Sequence, residues 1–182
     1  MKTFEESIDA LMTRYENEIP VRYTEYIEEW KSPIYGAVID EDTVEWTPCL
    51  QPEPLQFGKL ESALELTFHD SVKALFSRWY AGDLALTYQD HLINLLQVQS
   101  AEDGDRLLEN IAAHILMKRQ LKQSETVFIG LAADNDDLLL SIDNQSGVVG
   151  LEWVGKDQHE VLGGSLSDWL DDCRPKVSEN SD

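Results

Sequence analysis

The chain has 182 residues, 42% of them hydrophobic and 27% charged, enough to build one globular domain with a real core. Its 35 acidic and 14 basic side chains leave a formal net charge of -21, which repels nucleic-acid phosphates and anionic lipid head groups. Apolar runs such as 127–133 fall far short of the ~20 residues that carry a helix across a bilayer, so neither nucleic-acid binding nor direct lipid insertion is expected.

Thr3 followed by Glu6 has the form of a capping box, and Phe4, Ile8, Leu11, Met12 and Tyr15 then recur at spacings of three and four, predicting an amphipathic helix. Pro20 interrupts it, because a proline removes a backbone donor and clashes with the preceding turn. Tyr23, Tyr26, Ile27 and Trp30 resume the period and predict a second short helical piece. Residues 32–57 carry four prolines. There Val38-Ile39 and Val44 to Trp46 flank an Asp40-Glu41-Asp42 turn, which reads as a short hairpin followed by an irregular loop.

Residues 60–79 place Leu64, Phe68, Val72, Leu75, Phe76 and Trp79 on one face and predict a helix packed on a sheet. Gly82 and Asp83 supply turn chemistry before two extended runs, 84–88 and 91–98. Ser100 with Asp103 opens the next helix, whose buried stripe is Leu107, Leu108, Ile111, Ala112, Ile115 and Leu116. Glu102, Asp103 and Asp105 lie at its start and Lys118, Arg119 and Lys122 at its end, which suits the helix dipole. Three strands, 126–131, 138–142 and 148–154, follow as an antiparallel meander joined by Asp134-Asn135-Asp136 and Asn144-Gln145-Ser146-Gly147. After Gly163-Gly164, Ser165 with Asp168 caps a last helix carrying Leu166, Trp169 and Leu170. Helices and strands partly segregate along the chain, so the expected class is α+β, one layered domain with a mainly antiparallel sheet covered by helices. That domain is expected over 1–176, with a frayed tail at 177–182.

The charge is uneven. Residues 1–58 hold 13 acids against 4 bases, 59–125 hold 10 against 7, and 126–182 hold 12 against 3. High net charge can serve solubility alone; the alternative is a cationic partner. Lys2 stands beside Glu5, Glu6 and Asp9, which resembles neither a secretion signal nor a transit peptide and leaves the cytoplasm as the expected location. Cys49 and Cys173 form no CxxC pair, and two free thiols are expected.

Catalysis needs a nucleophile, an acid or base, or a metal in a recognisable pattern. The chain has no GxxxxGK[ST] loop, no GxGxxG and no HExxH, and His69, His91, His114 and His159 lack ligand spacing. Ser165 sits in Gly163-Gly164-Ser165-Leu166-Ser167, which lacks the second glycine of a nucleophile elbow. An EF-hand loop starting at Asp134 would need glycine and glutamate where Leu139 and Gln145 stand. No metal, cofactor or catalytic residue is therefore expected, and the chain reads as a binding protein and not an enzyme. The candidate contact residues are acids and aromatics: Trp79, Tyr80, Asp83, Asp90, Glu102 and Asp103. Each has a structural alternative, since Trp79 suits the core, Asp83 a turn, and Glu102 and Asp103 the helix dipole.

A family resemblance adds to this. Leu95-Leu96-Gln97-Val98, then Ser100, Glu102 and Asp103, then 106–111, 114–122 and 126–129 together resemble the central block of Syd proteins. Arg14-Tyr15, Tyr35-Gly36, Trp46, Ala81-Gly82-Asp83, 141–147 and Leu151-Glu152 extend the likeness over most of the chain, while Gln99 stands where the pattern has tryptophan. The resemblance implies a mixed α/β fold of the wider SUKH superfamily and a concave, electronegative groove. It also implies binding to cytosolic regions of SecY, the secretion channel, in quality control or negative regulation, at the cytoplasmic side of the bacterial inner membrane. Cytoplasmic loops of membrane proteins are rich in Lys and Arg, so an acidic protein is their electrostatic complement. The same superfamily includes immunity proteins, so an inhibitor of a basic nuclease toxin is the alternative reading.

Overall fold

The computed structural model describes residues 2–177. The expected tail at 177–182 lies, apart from Val177, outside the described residues. Helix α1 (Phe4–Glu18) opens with the predicted capping box: Thr3 Oγ1 accepts from the Glu6 amide at 3.1 Å, and Glu6 Oε2 accepts from the Thr3 amide at 2.9 Å. It ends ahead of Pro20, as the missing donor requires.

The next segment departs from expectation. Tyr23 to Trp30 is not helical beyond a single 3-10 turn at Glu28–Trp30; instead Tyr23–Glu25 forms strand β1. The spacing of its aromatics fits a helix, but the hairpin of β2 (Tyr35–Val38) and β3 (Thr43–Trp46) leaves an edge on β3 that β1 completes. The result is a three-stranded antiparallel sheet in the order β1-β3-β2. The loop after the hairpin holds a short strand β4 (Cys49–Leu50).

The single helix expected over 60–79 is two: α2 (Gly58–Leu64) and α3 (Asp70–Ser77). Glu65 takes the left-handed conformation, φ 53, and ends α2. Glu61 seals the break, its Oε2 accepting from the Phe68 amide at 2.8 Å and pairing with Lys73 Nζ at 2.8 Å. The side chain of His69 caps α3 by accepting from the Ser71 amide. Trp79 falls outside both helices, in β5 (Trp79–Tyr80), which pairs with β4.

The predicted pair of extended runs becomes the hairpin β6 (Leu84–Tyr88) and β7 (His91–Leu95), the latter ending before Val98. Helix α4 (Ala101–Gln120) starts where Ser100 Oγ accepts from the Asp103 amide. The meander appears as β8 (Thr126–Ala132), β9 (Asn135–Asp143) and β10 (Val149–Trp153). A further strand, β11 (Gln158–Gly163), precedes α5 (Leu166–Asp172) and the short β12 (Arg174–Pro175). The main sheet is antiparallel throughout, in the order β11-β10-β9-β8-β7-β6-β12. The class is thus α+β, as the sequence predicts.

The sheet curls. Tyr88, at the end of β6, donates its hydroxyl to the Leu162 carbonyl of β11 at 2.5 Å, and His91 Nε2 lies 3.6 Å from Glu160 Oε1. Strands at opposite sides of the sheet order therefore meet. One continuous hydrophobic cluster runs from Ile8 and Leu11 of α1 through Phe68, Phe76, Ile111 and Ile129 to Trp169 of α5.

Polar atoms also enter this interior. Lys118, read from the sequence as a dipole-complementing base at the end of α4, is completely buried. Its three donors go to Glu152 Oε1 at 2.9 Å, the Lys156 carbonyl at 2.6 Å and Gln123 Oε1 at 3.1 Å. Glu152 also accepts from Thr126 Oγ1 at 2.9 Å and Ser141 Oγ at 2.6 Å. Burial alone would push Glu152 up; the hydrogen bonds from His114, Ser141 and Lys118 outweigh it and hold the carboxyl below its ordinary value.

Both cysteines are free thiols. No helix among the described residues is long and apolar enough to cross a membrane.

A recess of carboxylates and aromatics

Asp83 joins β5 to β6, and its Oδ1 accepts from the Gln97 amide at 3.0 Å. The side chain reaches solvent. Even so, desolvation by surrounding protein pushes its carboxyl up to about 6, with the like charge of Asp103 adding to the shift. Asp83 is thus an exposed side chain whose carboxyl is crowded by protein and by a second acid.

Scattered segments build the walls. The Tyr15 ring stacks on Trp46 at 6.3 Å, and its hydroxyl accepts from the Ala85 amide at 3.1 Å, two residues beyond Asp83. Gly82 backs onto the Trp46 indole so closely that a Cβ there would lie 2.7 Å from Cε2. Arg22 lies over the same indole at 5.2 Å. On the α4 side, Asp103 Oδ2 accepts from the Gln99 amide at 2.9 Å, and Oδ1 lies 3.5 Å from Arg106 Nη2, whose guanidinium covers Trp30 at 4.5 Å. Gln99 Nε2 donates to Thr24 Oγ1 at 3.3 Å and ties β1 to the start of α4. Burial pushes the Tyr35 phenol up, and the charges of Glu25 and Asp103 add to it. Asp83, Asp103 and Glu25 thus share one neighbourhood.

Three buried polar atoms of this neighbourhood lack a partner: Gln97 Oε1, Gln99 Oε1 and Arg22 Nε. A buried polar atom left unpaired costs about 1–3 kcal/mol, so each of these can take a further hydrogen-bond partner.

Of the six sequence-predicted contacts, the fold gathers three. Asp83 and Asp103 lie close enough for their charges to interact, and exposed Glu102 adjoins Asp103 on the first turn of α4. Trp79 and Tyr80 lead into the recess along β5, but their side chains are engaged elsewhere. The Trp79 indole donates to Asp9 Oδ1 at 2.8 Å, and Tyr80 is half-buried against β4, where burial and the charges of Cys49 and Glu53 push its phenol up. Asp90 sits in the β6–β7 turn, at the far end of a five-residue strand from Asp83. At ~3.3 Å per residue this is roughly 20 Å away.

Tyr15, Arg22, Glu25 and Gln99 were not among the candidates from composition or period. The signal that reaches some of them is the family pattern, since Tyr15, Tyr35-Gly36, Trp46 and Ala81-Gly82-Asp83 converge here from distant parts of the chain. Among the described residues, no three His, Cys, Asp or Glu side chains gather in a group able to hold a metal ion.

Fold and site together define a mixed α+β scaffold that gathers Asp83, Asp103 and Glu25 beside the aromatics Tyr15, Tyr35 and Trp46. The family model described as Syd protein (SUKH-2) matches residues 2–175. A protein named Protein Syd from Idiomarina loihiensis is 73% identical over 177 residues, covering 97% of each chain. Others of that name, from Pseudoalteromonas atlantica and Pseudoalteromonas translucida, are 36% and 42% identical, covering 97% and 79% of this chain and 98% and 80% of theirs. The chain belongs to the Syd family.

Proposed function

We propose that the protein is a non-enzymatic regulator that binds basic loops of SecY at the cytosolic face of the translocation channel, in quality control or negative regulation of protein export. It docks through the recess, with Asp83, Glu102 and Asp103 as contacts and Glu25 beside them. The observation that supports this best is the grouping of Asp83, Asp103 and Glu25 in one neighbourhood, next to the buried polar atoms of Gln97, Gln99 and Arg22. Membership of the Syd family supports SecY as the partner. A lysine or arginine docking there would meet several carboxylates at once, and opposite charges attract most at short range. In this reading the protein is held at the cytoplasmic side of the inner membrane by its partner.

Capture of SecY in detergent by the purified protein, at rising salt, tests the reading. Screening lengths near 8 Å at physiological ionic strength, shrinking further above it, predict weakening capture. An Asp83→Asn/Glu102→Lys variant is expected to lose capture while remaining folded; undiminished capture by that variant refutes docking at the recess. Asp103 is left intact because it also holds the Gln99 amide at the start of α4.

A further inference from the structure

A concavity lies away from the Asp83 neighbourhood and shares none of its residues. The starts of α1, α2 and α5 and the side of α3 enclose a cleft of about 1330 Å³. That exceeds the roughly 300–1,000 Å³ of sites for small molecules. Half-buried Phe4, Leu55 and Ala74 and buried Phe57 supply apolar lining.

The charges around it lean acidic, five carboxylates against three bases. Each base of the lining is matched by a carboxylate: Lys2 with Asp171 at 3.4 Å, Lys73 with Glu61 at 2.8 Å, and Arg78 with Asp9 at 2.7 Å. Exposed Glu5, Asp70 and Asp168 also line the cleft, and none meets a base within 4.0 Å among the described residues. Each sits in the first turn of a helix, so the dipole offsets part of its charge. Arg78, paired with Asp9, also feels the charge of Glu5, while Asp70 and Asp168 form no ion pair with the lining bases. Ser167 of the lining is also nine-tenths buried, and its hydroxyl has no partner.

We infer that this cleft is a second docking site, for a cationic amphipathic segment of another protein. Apolar side chains of the segment fill the space between Phe4, Leu55, Phe57 and Ala74, and its flanking Lys or Arg side chains reach Glu5, Asp70 and Asp168. This is the recognition mode in which an amphipathic helix lays its apolar face into a groove. Area alone does not confer affinity. The apolar floor and the acidic rim each screen out partners that carry only one of the two features.

The test uses the full chain and two synthetic peptides of equal charge, one of leucine and lysine in helical amphipathic order, the other with each leucine replaced by serine. Amide shifts in two-dimensional NMR locate the binding site, and fluorescence anisotropy measures affinity. The leucine peptide is expected to perturb amides around Ala74 and Phe57, and the serine peptide to bind about ten-fold more weakly or less. Ala74→Trp, which fills the floor, and the exposed pair Glu5→Lys/Asp168→Lys should each lower affinity about ten-fold, whereas Asp83→Asn should leave it unchanged. The surface pair keeps the test decisive if Ala74→Trp disturbs folding. Equal binding of the two peptides, or shifts centred on Asp83 and Gln97, would overturn the assignment to this cleft.

Discussion

Lys118 Nζ lies 2.9 Å from Glu152 Oε1, and neither side chain retains any solvent exposure. The pair binds α4 to β10, and through the Lys156 carbonyl to the turn beyond it. Removing one partner strands a charge in a medium that solvates it poorly. Lys118→Met is therefore expected to destabilise the fold by about 3–5 kcal/mol, whereas Lys118→Met/Glu152→Leu should recover most of the loss. Urea unfolding of the four members of this cycle measures both. Because Glu152 is held below its ordinary 4.5, its contribution is present above that pH and is lost as the pH falls through the lowered value. Glu152→Gln should remove that part of the acid dependence.

Asp83 behaves in the opposite sense. Its carboxyl is raised from 3.8 to about 6, so the fold holds the proton more tightly than the unfolded chain does. Stability from this group is complete below the unfolded value and declines as the pH rises through the folded one. Asp83→Asn mimics the protonated form and keeps an acceptor for the Gln97 amide. The substitution should raise Tm at about pH 8, leave it nearly unchanged at about pH 4, and weaken partner capture at about pH 8. A lower Tm at the higher pH would show that the charge is not a cost to the fold.

Gly82 permits Trp46 to close the wall of the recess. In Gly82→Ala the new methyl would lie 2.7 Å from an indole that is buried and stacked on Tyr15, so the indole has little room to yield. A loss of about 1–3 kcal/mol is expected in chemical denaturation, with weaker partner binding at temperatures where the variant is fully folded.

Ser100 sets where α4 begins. Ser100→Ala removes the acceptor of the Asp103 amide and should cost about 1 kcal/mol. Hydrogen exchange is expected to accelerate at Asp103 and Gly104, whose amides bond back to Ser100, and to stay slow at Ile111, deep in the helix.

The sequence is most legible where one local rule acts alone. The capping box at Thr3, the Ser100 and Ser165 caps and the meander from Thr126 to Trp153 all follow from neighbours a few residues apart. The period fails where it fits two outcomes. Tyr23, Tyr26, Ile27 and Trp30 suit a helix, yet β1 answers an open strand edge that forms only once Thr43–Trp46 is in place. Leu64, Phe68 and Val72 keep helical spacing across the α2–α3 break because both helices face the same core, and nothing in that spacing marks the turn at Glu65. In the recess, Asp83 and Asp103 could be read as acids near structural boundaries, but their meeting is tertiary. Asp90 had a warning in plain sight, since a hairpin places the residue before its first strand and the residue in its turn at opposite ends.

The Tyr88 hydroxyl on the Leu162 carbonyl bears on how the protein behaves at high concentration. Strand β11 is the outer member of a seven-stranded sheet, and such a border is a template for a neighbouring molecule to extend. Its Leu162 acceptor is already occupied from within, the curl turns the border back toward β6, and a net charge of -21 keeps copies apart. Tyr88→Phe would reopen that acceptor and leave like-charge repulsion as a main guard against intermolecular strand pairing.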